Sequence, residues 1–297
     1  MVIPNNHDSQ SDSTQLAIDV RGLGKSYGRT PVLRNLRLQV PWGQTLTVLG
    51  PNGSGKTTLI KTLAMLAKPD AGEVRIAGLS TRRNGVRVRR VVGVVTHEPL
   101  LYDGLTGAEN LRFFARMFAL DRIDERIHAV AAQMGVVERL DARIGTLSHG
   151  MRRRFSIARA LLHSPRLLIM DEPESGLDQQ ALGLLEALVT DRSNPTRTIL
   201  MTTHNLERGI ALADRVAILS RGRIAYEGTP DAGATKAAYR KQTEGQAEQP
   251  VPEQNEDDCI VHDGAKDATV PTAAYSKQAQ FHAKEHNVET CEKALDR

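Results

Sequence analysis

Residues 50–57 constrain the fold of this chain more than any other segment. They read Gly-Pro-Asn-Gly-Ser-Gly-Lys-Thr, which fits the pattern G-x-x-x-x-G-K-[ST]. The preceding residues 45–49, Thr-Leu-Thr-Val-Leu, form a short apolar segment typical of a buried strand, and a helix is expected to follow the loop. A glycine-rich turn of this kind lets backbone N–H groups approach an anion, and the helix N-terminus adds a favourable dipole. The pattern therefore predicts a strand–loop–helix unit that binds the phosphates of a nucleotide.

The loop is expected to supply both phosphate contacts and a metal ligand. The Lys56 ammonium is expected to reach the β- and γ-phosphates, and the Thr57 hydroxyl is expected to bind Mg²⁺. The predicted nucleotide-binding residues of this segment are Gly50, Pro51, Asn52, Gly53, Ser54, Gly55, Lys56, Thr57 and Thr58.

An acidic pair further along the chain fits the same chemistry. Residues 167–170, Leu-Leu-Ile-Met, are followed by Asp171 and Glu172. Carboxylates at the C-terminal end of a buried strand, beside a phosphate loop, are suited to metal binding and base catalysis. Asp171 is predicted to hold Mg²⁺ through its water shell, and Glu172 is predicted to orient or deprotonate the attacking water. The alternative, that these acids only cap the next helix, loses weight because the phosphate loop is present.

The remaining patterns indicate an α/β fold. Period-two alternation at residues 16–20 and 36–40 predicts early strands. Later strands are predicted at residues 167–170, 198–202, 216–219 and 224–226. Helical spacing between about residues 105 and 162 is visible at Leu111, Phe114, Ala115, Phe118, Ile127, Val130, Ala131 and Met134. Strands that alternate with helices favour a mostly parallel core sheet with an inserted helical lobe.

Residues 147–151, Leu-Ser-His-Gly-Met, resemble the signature of the ABC ATPase family, which usually reads Leu-Ser-Gly-Gly-Gln. Other family elements follow the expected order over about residues 16–230. Tyr27 resembles the aromatic residue that stacks on adenine, Asp178 ends a segment that resembles the D-loop, and His204 resembles the switch histidine. The resemblance implies a P-loop NTPase core of the ABC type, with an inserted α-helical subdomain and an N-terminal antiparallel β subdomain.

The same resemblance implies a dimer. Ser148 and Gly150 lie at the start of a predicted helix whose N–H groups can meet a γ-phosphate. Because the chain's own loop already holds an ATP, the family brings the signature of a second copy to that nucleotide, head to tail. The implied catalytic residues are Glu172 and His204, the implied ligands are ATP and Mg²⁺, and Ser148, Gly150 and Asp178 join the nucleotide site. The implied partners are a second ATPase subunit, identical or different, and integral membrane transporter subunits.

Two segments depart from the family pattern. In the signature, His149 replaces a glycine and Met151 replaces the glutamine. In the segment where the family has the Q-loop glutamine, the chain reads Thr-His-Glu-Pro at residues 96–99. One alignment puts His97 in the glutamine position and another puts Glu98 there. Glu98 is favoured as a metal ligand because a carboxylate suits Mg²⁺ and a neutral imidazole does not.

Longer strings around these motifs resemble the CcmA-type ATPases of the haem exporter used in cytochrome c maturation. The strings include Thr-His-Glu-Pro-Leu-Leu-Tyr and Asp-Glu-Pro-Glu-Ser-Gly-Leu-Asp. This resemblance makes haem export one hypothesis for the transported substrate. The strings themselves surround the nucleotide site and not a cargo pocket. A drug or lipid exporter ATPase is the alternative, and a non-transport ABC ATPase acting on DNA or the ribosome is a weaker one.

Composition and charge constrain the partners, the location and the domain boundaries that can be expected. The net charge of +4 does not require a nucleic-acid partner, and no apolar run approaches the length of a membrane span. We expect a cytoplasmic protein without a signal peptide, held at the inner face of the cell membrane by its partners. Residues 1–14 are predicted to be disordered, residues 15–240 to form the ATPase domain with its helical subdomain at about 98–165, and residues 241–297 to be a disordered tail. The tail's Cys259, His262, His282, His286 and Cys291 match no zinc pattern well.

Overall fold

A computed structural model describes residues 16–193 and 195–244, and within these ranges the strands form two sheets. The strands are β1 Leu16–Tyr27, β2 Thr30–Pro41, β3 Thr45–Leu49, β4 Ala71–Ile76, β5 Leu79–Ser80, β6 Val92–Val95, β7 Leu167–Asp171, β8 Thr198–Thr202, β9 Arg215–Ser220 and β10 Arg223–Gly228. The helices are α1 Lys56–Leu63, α2 Gly85–Arg89, α3 Gly107–Met117, α4 Ile123–Gln133, α5 His149–Leu161, α6 Gln179–Thr190, α7 Leu206–Ala211 and α8 Ala232–Glu244.

The larger sheet confirms the predicted α/β core. Its strand order is β10-β9-β3-β8-β7-β6, and all neighbours pair in parallel except β10, which is antiparallel to β9. Every residue of β3, β7 and β8 is buried, as expected for strands covered on both faces. Because the strands are parallel, the loop after β3 and the acids after β7 emerge at the same edge.

The smaller sheet is antiparallel, as the resemblance implied, and lies close to the loop that follows β3. Its order is β2-β1-β4-β5. The backbone N–H of Arg34 in β2 donates to the Gly222 carbonyl, and the Gly222 N–H donates to the Ser54 carbonyl. These bonds connect the β1–β2 hairpin, the β9–β10 turn and the phosphate loop.

Helices α3, α4 and α5 fall within the predicted helical stretch, and side chains cap the N-termini of α3 and α5. Thr106 and Glu109 form a reciprocal capping box at α3. Ser148 caps α5 by accepting a hydrogen bond from the Met151 N–H at 3.3 Å. None of the helices in the described ranges is both long and apolar enough to cross a bilayer.

Helix α8 continues past residue 240, where the sequence predicted the domain to end. Ala238 and Tyr239 pack against the cluster of Ile210 and Ile218, and Lys236 pairs with Glu207 at 2.9 Å. The prediction missed this helix because its apolar face is narrow. The predicted disordered segments lie outside the described residues, apart from residues 241–244, which belong to α8.

Candidate nucleotide site

The loop between β3 and α1 has the backbone geometry that close approach to an anion requires. Gly53 and Gly55 have φ values of 76° and 108°, in the left-handed region that glycine adopts without a steric penalty. A Cβ on Gly50 would lie 2.4 Å from the Leu219 carbonyl oxygen and 2.7 Å from Ser54 Oγ. The glycines at positions 50 and 55 therefore let the loop fit between β9 and the hairpin.

Lys56 lies at the first position of α1 and points its ammonium into the loop. Its Nζ donates to the Gly50 carbonyl at 2.8 Å and to the Pro51 carbonyl at 3.2 Å. Burial lowers the pKa of Lys56, whereas the charges of Glu172 and Asp171 raise it, so the lysine lies within electrostatic reach of both acids. The N-terminus of α1 has no side-chain cap and no acid in its first turn. Its free N–H groups are available to an anion.

Strand β8 lies between β3 and β7 in the sheet, and its last residue, Thr202, contacts the acidic pair. The Thr202 hydroxyl, at the end of β8, donates to Asp171 Oδ1 at 2.6 Å and accepts from the Glu172 N–H at 3.1 Å. Asp171 is buried, and Glu172 has a φ of 44°, which is uncommon for a residue with a side chain. Thr202 was not identified from the sequence, since it looks like any strand-ending threonine.

Glu172 and His204 form a pair at this edge. His204 Nδ1 lies 3.3 Å from Glu172 Oε2, and the histidine side chain is 61% exposed against 27% for the glutamate. The next acid, Glu174, accepts a hydrogen bond from the Thr203 hydroxyl, beside His204. The carboxylate of Glu172 is therefore partly open to solvent and oriented by an exposed imidazole.

Arg153 in α5 binds the same edge, and the sequence alone did not identify it. Its guanidinium donates to the carbonyls of Asp171 and Glu172 at 2.5 and 2.6 Å and to that of Pro173 at 3.2 Å. It also donates to the carbonyl of Thr96, just after β6. Burial lowers the pKa of Arg153, and the nearby charge of Asp171 raises it.

The signature residues form a second cluster. A Cβ on Gly150 would lie 2.8 Å from the Gly176 carbonyl, and one on Gly176 would lie 2.1 Å from His149 Nδ1. Arg154 donates to both carboxylate oxygens of Asp178 at 2.7 Å. The Ala181 N–H and this guanidinium lower the pKa of Asp178. In residues 16–193 and 195–244, no hydrogen bond or ion pair joins Ser148 or Gly150 to the phosphate loop.

Tyr27 and the two Q-loop candidates, His97 and Glu98, are exposed. Tyr27 ends β1 at the tip of the hairpin, is 51% exposed, and has Lys25 Nζ 5.5 Å from its ring centroid. His97 and Glu98 are exposed directly after β6, and the Thr96 hydroxyl donates to the Glu98 carbonyl at 2.6 Å. The exposed tyrosine ring is available for stacking.

The donor set fits a nucleotide with magnesium. Thr57 is exposed in the first turn of α1, and the buried Asp171 carboxylate is held by Thr202 at the same edge. Hydroxyl and carboxylate oxygens are the ligands that Mg²⁺ takes, usually together with waters and phosphate oxygens. Ser54 Oγ is buried without a hydrogen-bond partner among the described residues, within the loop that would surround the phosphates.

Comparisons with known proteins identify relatives of this architecture. The ABC transporter family profile matches residues 33–175. Nod factor export ATP-binding protein I of Rhizobium sp. (strain N33) is 37% identical over 221 residues, which cover 74% of this chain and 73% of that protein. The ABC transporter ATP-binding protein NatA of Bacillus subtilis (strain 168) is 34% identical over 199 residues, covering 66% of this chain and 81% of NatA.

A solved structure has the same fold. It is the ATP-binding subunit of an ABC transporter, and it superposes with a TM-score of 0.69 at 28% identity, covering 78% of this chain and 98% of that one.

Proposed function

This chain belongs to the ABC transporter family as an ATP-binding subunit that hydrolyses ATP, and from that premise we propose that it powers export through partner membrane subunits. The observation that carries the proposed site is the convergence of Lys56, Asp171 and Glu172 at one edge of the sheet. A cationic phosphate loop beside a buried and a half-open carboxylate is the arrangement that phosphoryl transfer to water needs.

Each side chain has a proposed task in hydrolysis. The loop N–H groups and Lys56 bind the β- and γ-phosphates and stabilise charge that develops during transfer. Thr57 and Asp171 would hold Mg²⁺, which neutralises phosphate charge when bound. Glu172 orients or deprotonates the attacking water, and His204, 3.3 Å from its carboxylate, keeps that carboxylate directed at the γ-phosphate.

We also propose a head-to-tail dimer of ATPase subunits. Gly150 lies close to the Gly176 carbonyl within its own chain, and Ser148 caps the N-terminus of α5 by accepting from the Met151 N–H. That terminus can complete the nucleotide site of a second copy, with Asp178 nearby at the same surface. The second subunit can be identical or different.

The cargo is proposed from the name of a relative. That relative is named for Nod factor export, so export of a molecule of that kind is one candidate. Haem export remains a hypothesis that rests on the resemblance of the motif strings alone. We place the chain on the cytoplasmic side of the membrane, where ATP is available, in contact with integral membrane subunits.

Substitution of Glu172 tests both the catalytic role and the dimer. Glu172→Gln should retain ATP binding and slow hydrolysis by roughly 10²–10⁴-fold, the usual worth of a positioned general base. It should also elute as a dimer in size-exclusion chromatography with Mg-ATP, since cleavage can no longer open the assembly. Glu138→Gln, an exposed acid of the helical stretch, is the matched control and should behave as the wild type.

Lys56→Ala separates binding from chemistry, because it should weaken nucleotide binding itself. A Glu172→Gln protein that stays monomeric and hydrolyses ATP at the wild-type rate would rule out both assignments.

A further inference from the structure

Helix α5 and the turn that follows it cover the outer edge of the larger sheet with three basic side chains. β6 is the last strand in the order, so alternate carbonyls of this region have no strand partner. The His163 imidazole lies 3.1 Å from the Val92 carbonyl, and Arg159 donates to the Val94 carbonyl at 2.7 Å. Arg153 donates to the carbonyl of Thr96, which completes a regular series along the edge.

Arg153 differs from the other two because it reaches a second strand end. Its Nη2 and Nε also bind the consecutive carbonyls of Asp171, Glu172 and Pro173. A carbonyl next to β6, the last carbonyl of β7 and the two carbonyls that follow it therefore converge on one guanidinium. The planar guanidinium carries five N–H donors in a fixed fork, which suffices for four carbonyls, whereas a lysine ammonium carries three donors on one nitrogen.

The contact falls on the backbone of the proposed general base. The φ of 44° at Glu172 belongs to the left-handed region, which is unfavourable for a residue with a side chain. Thr202 holds the N–H of Glu172 from one side, and Arg153 holds its carbonyl from the other. The peptide units that set the direction of the Glu172 side chain are thus fixed at both ends.

Arg153 forms no salt bridge with a carboxylate among the described residues, whereas its neighbour Arg154 pairs with Asp178. The buried cation faces the acids Asp171, Glu172 and Glu174 through space.

We propose that Arg153 is a positioning residue for ATP hydrolysis: it holds the backbone of Glu172 in the orientation that hydrolysis uses, and it ties the segment of His97 and Glu98 to the same point. The proposal rests on the proposed function of Glu172. Arg153 lies in the helix that begins at Ser148, so a shift of α5 when a second copy's nucleotide binds there changes the support of Glu172 directly.

The kinetic test compares Arg153→Lys and Arg153→Ala with Arg159→Ala. Both Arg153 variants should lose about 10²-fold in kcat, the effect of misplacing a catalytic group by roughly an ångström. Their KM for ATP should stay within about threefold of the wild type, because the phosphate loop is untouched. Arg159→Ala removes a comparable edge contact without touching residues 171–173, so its kcat should stay near the wild-type value even if its Tm falls.

Chemical rescue distinguishes positioning from general stability. Millimolar guanidinium should restore part of the kcat of Arg153→Ala, whereas methylammonium, with the same charge and no fork, should not. Arg153 variants with a wild-type kcat, or Arg159→Ala with an equal loss of kcat, would overturn the proposal. Rescue by both cations would also overturn it, since charge alone would then suffice.

A readout that does not depend on turnover separates this inference from the proposed function. Hydrogen exchange of peptides that cover residues 93–99 and 170–176 should accelerate in Arg153→Ala and stay unchanged in Arg159→Ala. If the wild-type chain failed to hydrolyse ATP, the proposed function would fail. Unchanged exchange at residues 170–176 would refute the role of Arg153 whatever the activity.

Discussion

The phosphate loop and the carboxylate edge lie at the same end of one sheet, but the chain holds them in opposite ways. Within the loop, Lys56 Nζ binds the Gly50 carbonyl six residues away, and the Ser54 N–H binds the Pro51 carbonyl. At the carboxylate edge, the Thr202–Asp171 bond spans 31 residues and the Arg153–Thr96 bond spans 57. The loop is a local structure and the edge is an assembly of distant segments. Substitutions in the phosphate loop should therefore act through steric clashes with the neighbouring backbone. Substitutions at the carboxylate edge should act through the loss of hydrogen bonds between distant segments.

The largest effect on ATP binding is expected at Gly50, where the loop leaves no room for a Cβ. Gly50→Ala would bring a Cβ within 2.4 Å of the Leu219 carbonyl, so the loop must move and ATP binding should weaken by about 100-fold, or ~2.7 kcal/mol. Gly53→Ala has no atom within 4 Å but forces a φ of 76° on alanine. It should lower stability by about 1–2 kcal/mol and weaken ATP binding less.

Calorimetric titration with ATP and thermal melts of both variants provide the comparison. If Gly53→Ala weakened ATP binding as much as Gly50→Ala, backbone conformation rather than space would govern the loop.

The same contrast explains what the sequence could predict. The loop and the acids of β7 were predicted because each occupies a few consecutive residues with a specific pattern. Arg153 was missed because it stands between Arg152 and Arg154, and three adjacent arginines look alike in a sequence. The structure gives them different partners: carbonyls of the preceding loop for Arg152, four carbonyls for Arg153, and the Asp178 carboxylate for Arg154.

The next prediction concerns His163, which lies in the turn after α5 and contacts the Val92 carbonyl of β6. Its ring stacks on Phe118 with centroids 4.0 Å apart, and burial lowers its pKa to about 4. Between the ordinary value near 6.5 and about 4, the unfolded chain binds a proton that the folded chain does not. Stability is therefore unaffected above the upper value and falls as the pH is lowered through this window. At pH 5 the loss should be about 2 kcal/mol.

Urea unfolding at pH 7.5 and pH 5 measures this loss. His163→Gln should show a smaller difference between the two pH values than the wild type. His128→Gln, which changes an exposed histidine of α4, should keep the wild-type difference. An unchanged difference in His163→Gln would place the acid sensitivity elsewhere in the chain.

The smallest effect is expected at Glu98, in the segment that Arg153 connects to the carboxylate edge. The segment is held by Arg153 through the Thr96 carbonyl and by the Thr96 hydroxyl through the Glu98 carbonyl, while the side chains of His97 and Glu98 are exposed. If Glu98 takes the place of the family's glutamine, its carboxylate joins the oxygen ligands available to Mg²⁺. The added negative charge near the γ-phosphate is then tolerable only while the metal is bound.

Titration of ATPase activity with Mg²⁺ decides between the two residues. Glu98→Ala should raise the Mg²⁺ concentration for half-maximal activity by about tenfold, or ~1.4 kcal/mol, the scale of one hydrogen bond to a charged group. Glu98→Gln keeps an oxygen at the same place and should retain activity, whereas His97→Ala should have no effect on the metal requirement. With the membrane partner present, Glu98→Ala should also uncouple hydrolysis from transport. If His97→Ala lost activity while Glu98→Ala kept the wild-type Mg²⁺ response, the alignment that puts His97 in the glutamine position would be established. The segment would then act through a contact of the imidazole and not through a metal ligand.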